Sequence, residues 1–167
     1  MLSLLHTLFD ISFLRKGPEE LPHSWVVLYL CVGLWGASLL CVTVLLQNFT
    51  SADSVISIIS WLLTLVCYVM VLSFAGKSSR MLQTLSAVIG TGALITFGML
   101  AALVLFTPFL GGRMASFVAI GILLWSIPVK GHIIARAIER HLFVGFIIAA
   151  TIFLLQMSLG QILTPES

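Results

Sequence analysis

The feature that most constrains this chain is a series of long apolar runs without charged residues. The first run, 24–46, holds no Asp, Glu, Lys or Arg. At ~1.5 Å per residue, a helix of this length crosses the ~30 Å hydrocarbon core of a bilayer. The runs 54–75, 82–106 and 142–163 have the same character. The sequence therefore predicts an integral membrane protein made of transmembrane helices.

Composition leads to the same conclusion and excludes other classes. Hydrophobic residues make up 60% of the chain and charged residues 8%, whereas soluble domains average ~45–50% and ~25%. The eight basic residues are scattered and form no run with interleaved aromatics, so nucleic acid is not an expected partner. Cys31, Cys41 and Cys67 lie inside apolar runs and are expected to pack rather than pair. No His/Cys spacing indicates a metal, and no cofactor is expected.

The N-terminal segment, 1–23, differs from the rest of the chain. In residues 1–14 a polar stripe of Ser3, His6, Thr7 and Asp10 alternates with apolar residues at helical spacing. This pattern predicts a short helix lying in the membrane interface, with the following Arg15 and Lys16 near lipid head groups. Two prolines and a glycine in 17–22 then predict a linker, because they cannot continue a helix.

The fourth apolar run is the shortest. After a predicted Pro/Gly turn at 107–113, only fourteen residues, 114–127, precede Pro128, and ~21 Å of helix does not cross a bilayer. We therefore expect the helix to continue through Pro128, giving a span at 114–134 with Lys130 reaching outward to the head groups. The predicted fold is an all-α bundle of five transmembrane helices, with a tail at 164–167. The alternative has four spans and a re-entrant fourth segment.

The distribution of basic residues predicts the orientation. Only Arg113 lies in an odd-numbered loop. The other seven lie before the first span or in even-numbered loops: Arg15, Lys16, Lys77, Arg80, Lys130, Arg136 and Arg140. Positive residues favour the cytoplasmic side. The N-terminus is therefore predicted to be cytoplasmic and the C-terminus to lie on the opposite side.

Few side chains within the spans suit catalysis or proton coupling. The apolar cores contain no ionisable carboxylate, base or histidine, although pumps, carriers and intramembrane enzymes generally need such groups at depth. Gln156 is the one carboxamide deep in a span, and it is expected either to line a polar path or to bond a Ser or Thr of a neighbouring helix. Trp35 and Trp61 are expected to pack. The chain is therefore predicted not to be an enzyme.

One group of ionisable residues is a candidate contact surface, here called the basic cluster. If the helix persists past Lys130, then His132, Arg136 and Arg140 form one stripe at i, i+4 and i+8, partly neutralised by Glu139. The full cluster is Lys77, Arg80, Lys130, His132, Arg136, Glu139 and Arg140. This cluster predicts a docking surface for anionic lipid head groups or for an acidic protein. The alternative is positive charge that only sets the orientation of the protein in the membrane.

The layout as a whole resembles a known family. A charged lead ending in RKGPEELP precedes five closely spaced spans, the third containing GTGALITFGML and the fourth LLWSIPVKGHIIARAIE. This resembles compact bacterial members of the Yip domain family, integral membrane proteins whose eukaryotic relatives interact with Rab/Ypt GTPases. The resemblance covers roughly residues 10–163. It implies a bacterial inner-membrane protein, but it implies no GTPase binding, since the family's Asp-Leu-Tyr-Gly-Pro motif has no counterpart here.

The function predicted from the sequence is that of a non-catalytic membrane scaffold or accessory protein. It would act through its basic cluster on anionic lipid head groups or on another membrane protein within the lipid bilayer. Two alternatives remain open at this point. One is a small transporter or channel subunit that depends on Gln156, and the other is a membrane enzyme that acts on lipids through His132, Arg136, Glu139 and Arg140.

Overall fold

A computed structural model describes residues 2–45 and 51–163, and this part of the chain is helical without a strand. The helices are α1 (Leu2–Ser12), α2 (Trp25–Leu45), α3 (Ser51–Phe74), α4 (Met81–Ala137) and α5 (Leu142–Leu163). Single 3₁₀ turns at Pro18–Glu20 and Ser78–Arg80 precede α2 and α4. The all-α prediction is confirmed. The predicted tail, 164–167, and part of the first predicted loop, 46–50, lie outside the described residues.

The surface of the helices is apolar where a soluble protein would be polar. Phe74 is 90% exposed, Phe109 85% and Ile162 78%. In the described part of the chain, four helices are long and apolar enough to cross a membrane: Trp25–Leu45, Val55–Phe74, Ser78–Ala137 and Leu142–Ile162. Large exposed apolar surface combined with this helix length requires lipid around the bundle. The chain is therefore a multi-pass integral membrane protein.

The longest helix, α4, is broken at one residue. Gly111 has φ 76° and ψ 159°, a conformation open to glycine and strained for residues with a Cβ. The break divides α4 into an N-terminal arm, 81–110, and a C-terminal arm, 112–137. A Cβ on Gly98 would lie 3.7 Å from Ile122, so the two arms lie side by side. The chain thus reverses at the single residue Gly111, which lies within the broader turn predicted at 107–113. The C-terminal arm then continues through Pro128 to Ala137.

The C-terminal arm and α5 meet with their backbones in contact. A Cβ on Gly131 would lie 2.9 Å from the Cα of Phe146, and one on Gly145 would lie 2.8 Å from the amide nitrogen of Ala135. Small residues allow such an approach where hydrophobicity cannot drive helix association in lipid. This contact fixes the rotation of the C-terminal arm about its own axis. It therefore determines which of the arm's side chains face the middle of the bundle.

The N-terminal segment packs along the flank of α4. Leu8 is fully buried, and its Cδ2 would lie 2.8 Å from a Cβ on Gly90. Gly90 lies nine residues beyond Met81, or ~14 Å along the helix. Trp125 Nε1 donates to the carbonyl of Ser12 at 3.0 Å, which holds the other end of α1. Because Gly90 has no side chain, α1 can pack closely against α4, and α1 is therefore part of the bundle. The position of α1 relative to the lipid head groups stays a prediction.

Candidate functional site

The middle of the bundle contains a cavity of about 670 Å³ that α2, α3, both arms of α4 and α5 all line. A cavity of this size is in the range of small-ligand sites, ~300–1,000 Å³. Its polar lining residues are Ser38, Ser57, Ser60, Thr96, Ser126, Lys130, Gln156 and Gln161. Each of the long helical segments contributes at least one of them. The cavity is therefore a feature of the whole bundle rather than a gap between two helices.

Among the described residues of this lining, Lys130 alone carries a charge. Its side chain is buried, with 9% of its surface exposed. The residue lies seven positions before the end of the C-terminal arm at Ala137, or ~10 Å along the helix. Within the described ranges, no carboxylate lies within ion-pair distance of its ammonium. Buried cations are costly unless they are paired, so Lys130 is the group in the bundle most in need of a partner.

Two tryptophans form the wall beside this lysine. The Lys130 Nζ lies 5.5 Å from the ring centroid of Trp61, within the range of a cation–π contact. The rings of Trp35 and Trp61 lie 5.3 Å apart at an interplanar angle of 55°. A Cβ on Gly92 would lie 2.6 Å from the Trp61 ring, so the glycine lets one edge of the indole approach the N-terminal arm.

Further polar groups of the lining are also without partners. Ser126 lies one helical turn before Lys130, and its hydroxyl is buried without a hydrogen-bond partner in the described structure. Gln156 lines the cavity, and its amide makes no hydrogen bond to a Ser or Thr among the described residues. Of the two roles expected for Gln156, its placement matches the lining of a polar space.

Glu139 organises the other charged region, at the ends of the helices. Its carboxylate lies 2.6 Å from Lys77 Nζ and 2.7 Å from Arg80 Nη2. The hydrogen bond and charge of Lys77, together with Arg80, hold the pKa of Glu139 below its ordinary value of 4.5. Glu139 has a φ of 54°, a left-handed conformation that costs a non-glycine residue ~1–2 kcal/mol. Glu139 follows the C-terminal end of α4, where a residue in this conformation is usually glycine. The ion pairs are therefore made by a residue type that is unusual at this position.

Arg136 and His132 of the basic cluster also have partners within the chain. Arg136 lies 3.9 Å from Glu19 rather than against Glu139, which corrects the expected i, i+3 pairing. The expected stripe is interrupted, because α4 ends at Ala137 and Arg140 lies in the following turn. His132 is buried, and its Nε2 lies 3.1 Å from the carbonyl of Lys16. Since a carbonyl only accepts, this contact requires the proton on Nε2.

The structure therefore divides the predicted basic cluster into two regions. Arg80, His132, Arg136, Glu139 and Arg140 line a pocket of about 580 Å³ at the helix ends, and Lys77 joins them through Glu139. We call these six residues with Glu19 the charged end. Lys130 does not belong to it. The expectation that Lys130 reaches outward to the head groups is corrected, since its side chain points to the Trp61 ring inside the bundle.

The sequence does not predict the central cavity, although four of its lining residues enter the sequence analysis: Trp35, Trp61, Lys130 and Gln156. The depth of Gln156 is predicted, whereas the environment predicted for Lys130 is wrong. A usable signal existed: the run 114–127 is too short to cross, so Lys130 had to lie inside a helical span. An ionisable residue inside a span is by default a candidate functional residue. Ser126, four residues before Lys130, places a hydroxyl on the same helix face as the lysine.

Among residues 2–45 and 51–163, no three His, Cys, Asp or Glu side chains are grouped closely enough to hold a metal ion. Comparisons with protein-family models, with curated proteins and with solved structures give no match. The resemblance to the Yip domain family therefore stays an expectation from hydropathy layout and small-residue texture. The class of the protein rests on its fold, and its function has to be argued from the cavity and the charged end.

Proposed function

We propose that this chain crosses the membrane five times and binds a small solute in its central cavity, as a transporter or a transporter subunit. The five crossings are α2, α3, the two arms of α4 and α5. The break at Gly111 supports this count, because it converts one helix of 57 residues into two adjacent arms. Each arm is ~39–45 Å long, enough for a crossing.

The orientation proposed is the one that the basic residues predict. With Lys130 inside the bundle, six of the eight Lys and Arg residues remain in the N-terminal segment and the even-numbered loops, against Arg113 in an odd-numbered loop. This excess still favours a cytoplasmic charged end and N-terminus. The bacterial inner membrane is proposed on the family resemblance.

The observation that carries the binding function is the buried Lys130 ammonium, which has no carboxylate partner in the described structure, in a 670 Å³ cavity. Ionisable side chains are expensive inside a membrane and mark binding sites or translocation paths. A lysine kept only to set orientation would gain more by lying at the head groups, where water solvates it. The position of Lys130 is therefore best accounted for by a ligand.

The charged end supports a scaffold or docking function less well. Lys77 and Arg80 share Glu139, and Arg136 lies near Glu19. Cations that are already paired within the chain attract an external anion less strongly, because the internal carboxylates cancel part of their field. The same pairing counts against a lipid-converting enzyme, since Glu139 would have to leave two cations before it could act as a base.

The test is to identify what the protein retains from its own membrane. The chain is extracted with surrounding lipid in polymer discs, and small molecules are identified by mass spectrometry for wild type, Lys130→Met and Lys77→Met. We expect a molecule that wild type and Lys77→Met retain and Lys130→Met loses. The same set of molecules in all three samples would contradict the proposal. Flux of the retained molecule across reconstituted vesicles then separates a transporter from a receptor.

A further inference from the structure

On the C-terminal arm, two hydrogen-bond donors of the cavity lie close together, and the amide of Gln156 on α5 lines the same cavity. Lys130 and Ser126 are four residues apart on the C-terminal arm, so their side chains share one face. Ser126 Oγ has no partner in the described structure. Two other hydroxyls of the lining donate to carbonyls of their own helices: Ser38 to that of Trp35 at 2.7 Å, and Thr96 to that of Gly92 at 3.0 Å.

This donor set limits the charge and the size of an anionic group. One ammonium neutralises a single negative charge, and the ammonium and the hydroxyl can each donate to one of two oxygens. A phosphate or sulfate dianion would bring a second negative charge that no second cation of the described lining neutralises, which is costly away from water. A carboxylate matches the available groups in both charge and number of oxygens.

The rest of the cavity is suited to hydrocarbon. Beyond the Trp35 and Trp61 rings, its wall is formed largely by aliphatic and aromatic side chains from four of the helical segments: Leu39, Val42, Ile95, Met99, Leu123 and Phe153. A small hydrophilic anion would contact this surface through water and leave most of it without apolar contact. A ligand with an apolar chain would bury it, at ~25 cal/mol per Å².

Building on the solute-binding function, we propose that the ligand is a single-chain amphiphilic carboxylate, of the fatty-acid class. Its carboxylate is held by Lys130 Nζ and Ser126 Oγ, and its chain lies along the apolar wall. The carboxylate supplies the counter-ion that Lys130 lacks among the described side chains, and the contact with Trp61 keeps the ammonium in place before the ligand binds. The two tryptophans beside the head group provide a spectroscopic reporter.

The experiment uses bromododecanoate, whose bromine quenches indole fluorescence on contact. The full chain carries Trp25→Phe and Trp125→Phe, so that Trp35 and Trp61 remain, and it is reconstituted in lipid nanodiscs. We expect saturable quenching that dodecanoate reverses and that dodecylamine and dodecanol do not. Lys130→Met should weaken binding about tenfold to a hundredfold, the effect of losing one charge-assisted hydrogen bond. Lys77→Met should bind as the parent protein does.

A second variant keeps the test valid if Lys130→Met fails to fold. Ser126→Ala should weaken bromododecanoate several-fold without lowering the thermal stability of the ligand-free protein. Equal quenching in the parent protein and both variants, or equal competition by amine and alcohol, would reduce the result to partitioning into lipid and overturn the inference. If acetate, which has no apolar chain, displaces bromododecanoate, the inference is also overturned, because the site is then one for small anions. In that case the proposed solute-binding function would stand, because it depends on the molecule that Lys130 retains from native membranes.

Discussion

Lys77 and Lys130 are the same residue type in opposite situations. Lys77 lies at the charged end, partly exposed, with its ammonium 2.6 Å from the carboxylate of Glu139. Lys130 is buried over the Trp61 ring, and no carboxylate accompanies it among the described residues. The first lysine finds its partner within the chain and holds helix ends together. The second needs a partner from outside.

The comparison shows why the density of charge does not identify the functional region here. The charged end is the densest group of charged residues in the described structure, yet its ion pairs are internal and connect the end of α4 to Lys77, Arg80 and Glu19. Among the described residues that line the central cavity, one is charged. A buried, unpaired charge costs more than many exposed paired ones, so its retention requires a stronger explanation.

The largest effect should come from separating the C-terminal arm from α5. Their contact turns Lys130 into the bundle, and the difference between Lys130 and Lys77 depends on it. Gly145→Ala forces a Cβ against the backbone of Gly131 and Ala135. We expect a loss of about 3 kcal/mol in the free energy of unfolding, at the top of the range for overpacking. The measurement is reversible denaturation in mixed micelles. Gly36→Ala is the control, because a Cβ on Gly36 meets no atom within 4 Å.

Removing each lysine in turn should change stability in opposite directions. Without ligand, Lys130→Met should raise the free energy of unfolding by about 2 kcal/mol, because it replaces an unpaired buried cation by an apolar side chain of similar length. Lys77→Met should lower it slightly, as expected for an exposed ion pair. Both are measured by the same denaturation. Equal losses in the two variants would mean that Lys130 has a structural partner, and the contrast would disappear.

A buried tyrosine outside the cavity tests whether an unpartnered hydroxyl affects ligand binding only when it lines the cavity. The Tyr68 side chain is fully buried and its hydroxyl has no partner in the described structure, but it does not line the cavity. Tyr68→Phe should therefore raise the free energy of unfolding by about 1 kcal/mol and leave binding of bromododecanoate unchanged. A fall in binding would extend the site to α3 beyond Trp61.

The smallest effect concerns the pH dependence of the charged end. The pKa of Glu139 is lowered from 4.5 by Lys77 and Arg80, so its stabilising contribution is complete above that value. It is lost as the pH falls through the lower pKa of the folded protein. The stability difference between wild type and Glu139→Gln should be constant near neutral pH and vanish in more acid solution. Glu20→Gln, at a residue without an ion pair in the described structure, should show no such change. A difference that is independent of pH would mean that Glu139 acts through its backbone conformation.

Much of the fold could be predicted from hydropathy, because lipid enforces it. The runs 24–46 and 142–163 correspond to α2 and α5, since backbone groups in a bilayer must bond within their own helix. The continuation past Pro128 followed from the ~30 Å that a span must cover. The reversal at the single residue Gly111 was placed inside a broader turn, because Pro108, Gly111 and Gly112 are all turn-forming residues and sequence gives no φ value.

The site was harder to predict because it depends on rotation and partner choice. Lys130 lies close enough to the end of its helix to reach the head groups, and only the contact of Gly131 with Phe146 turns its side chain into the bundle. Similarly, Glu139 follows Arg136 at a spacing that predicts a helical ion pair, but α4 ends at Ala137. The left-handed backbone at Glu139 then directs its carboxylate to Lys77 and Arg80.

The docking of α1 on α4 has a consequence for the order of assembly. Ser12 bonds Trp125, and Lys16 contacts His132, across 113 and 116 positions of the chain. During synthesis these partners emerge only after both arms of α4 have been made. Gly90, against which Leu8 packs, is already present once the N-terminal arm has been made, but Ser12 and Lys16 still lack their partners at that point. Because α1 precedes α2 to α5 in the chain, we expect its full docking to follow the synthesis of both arms of α4.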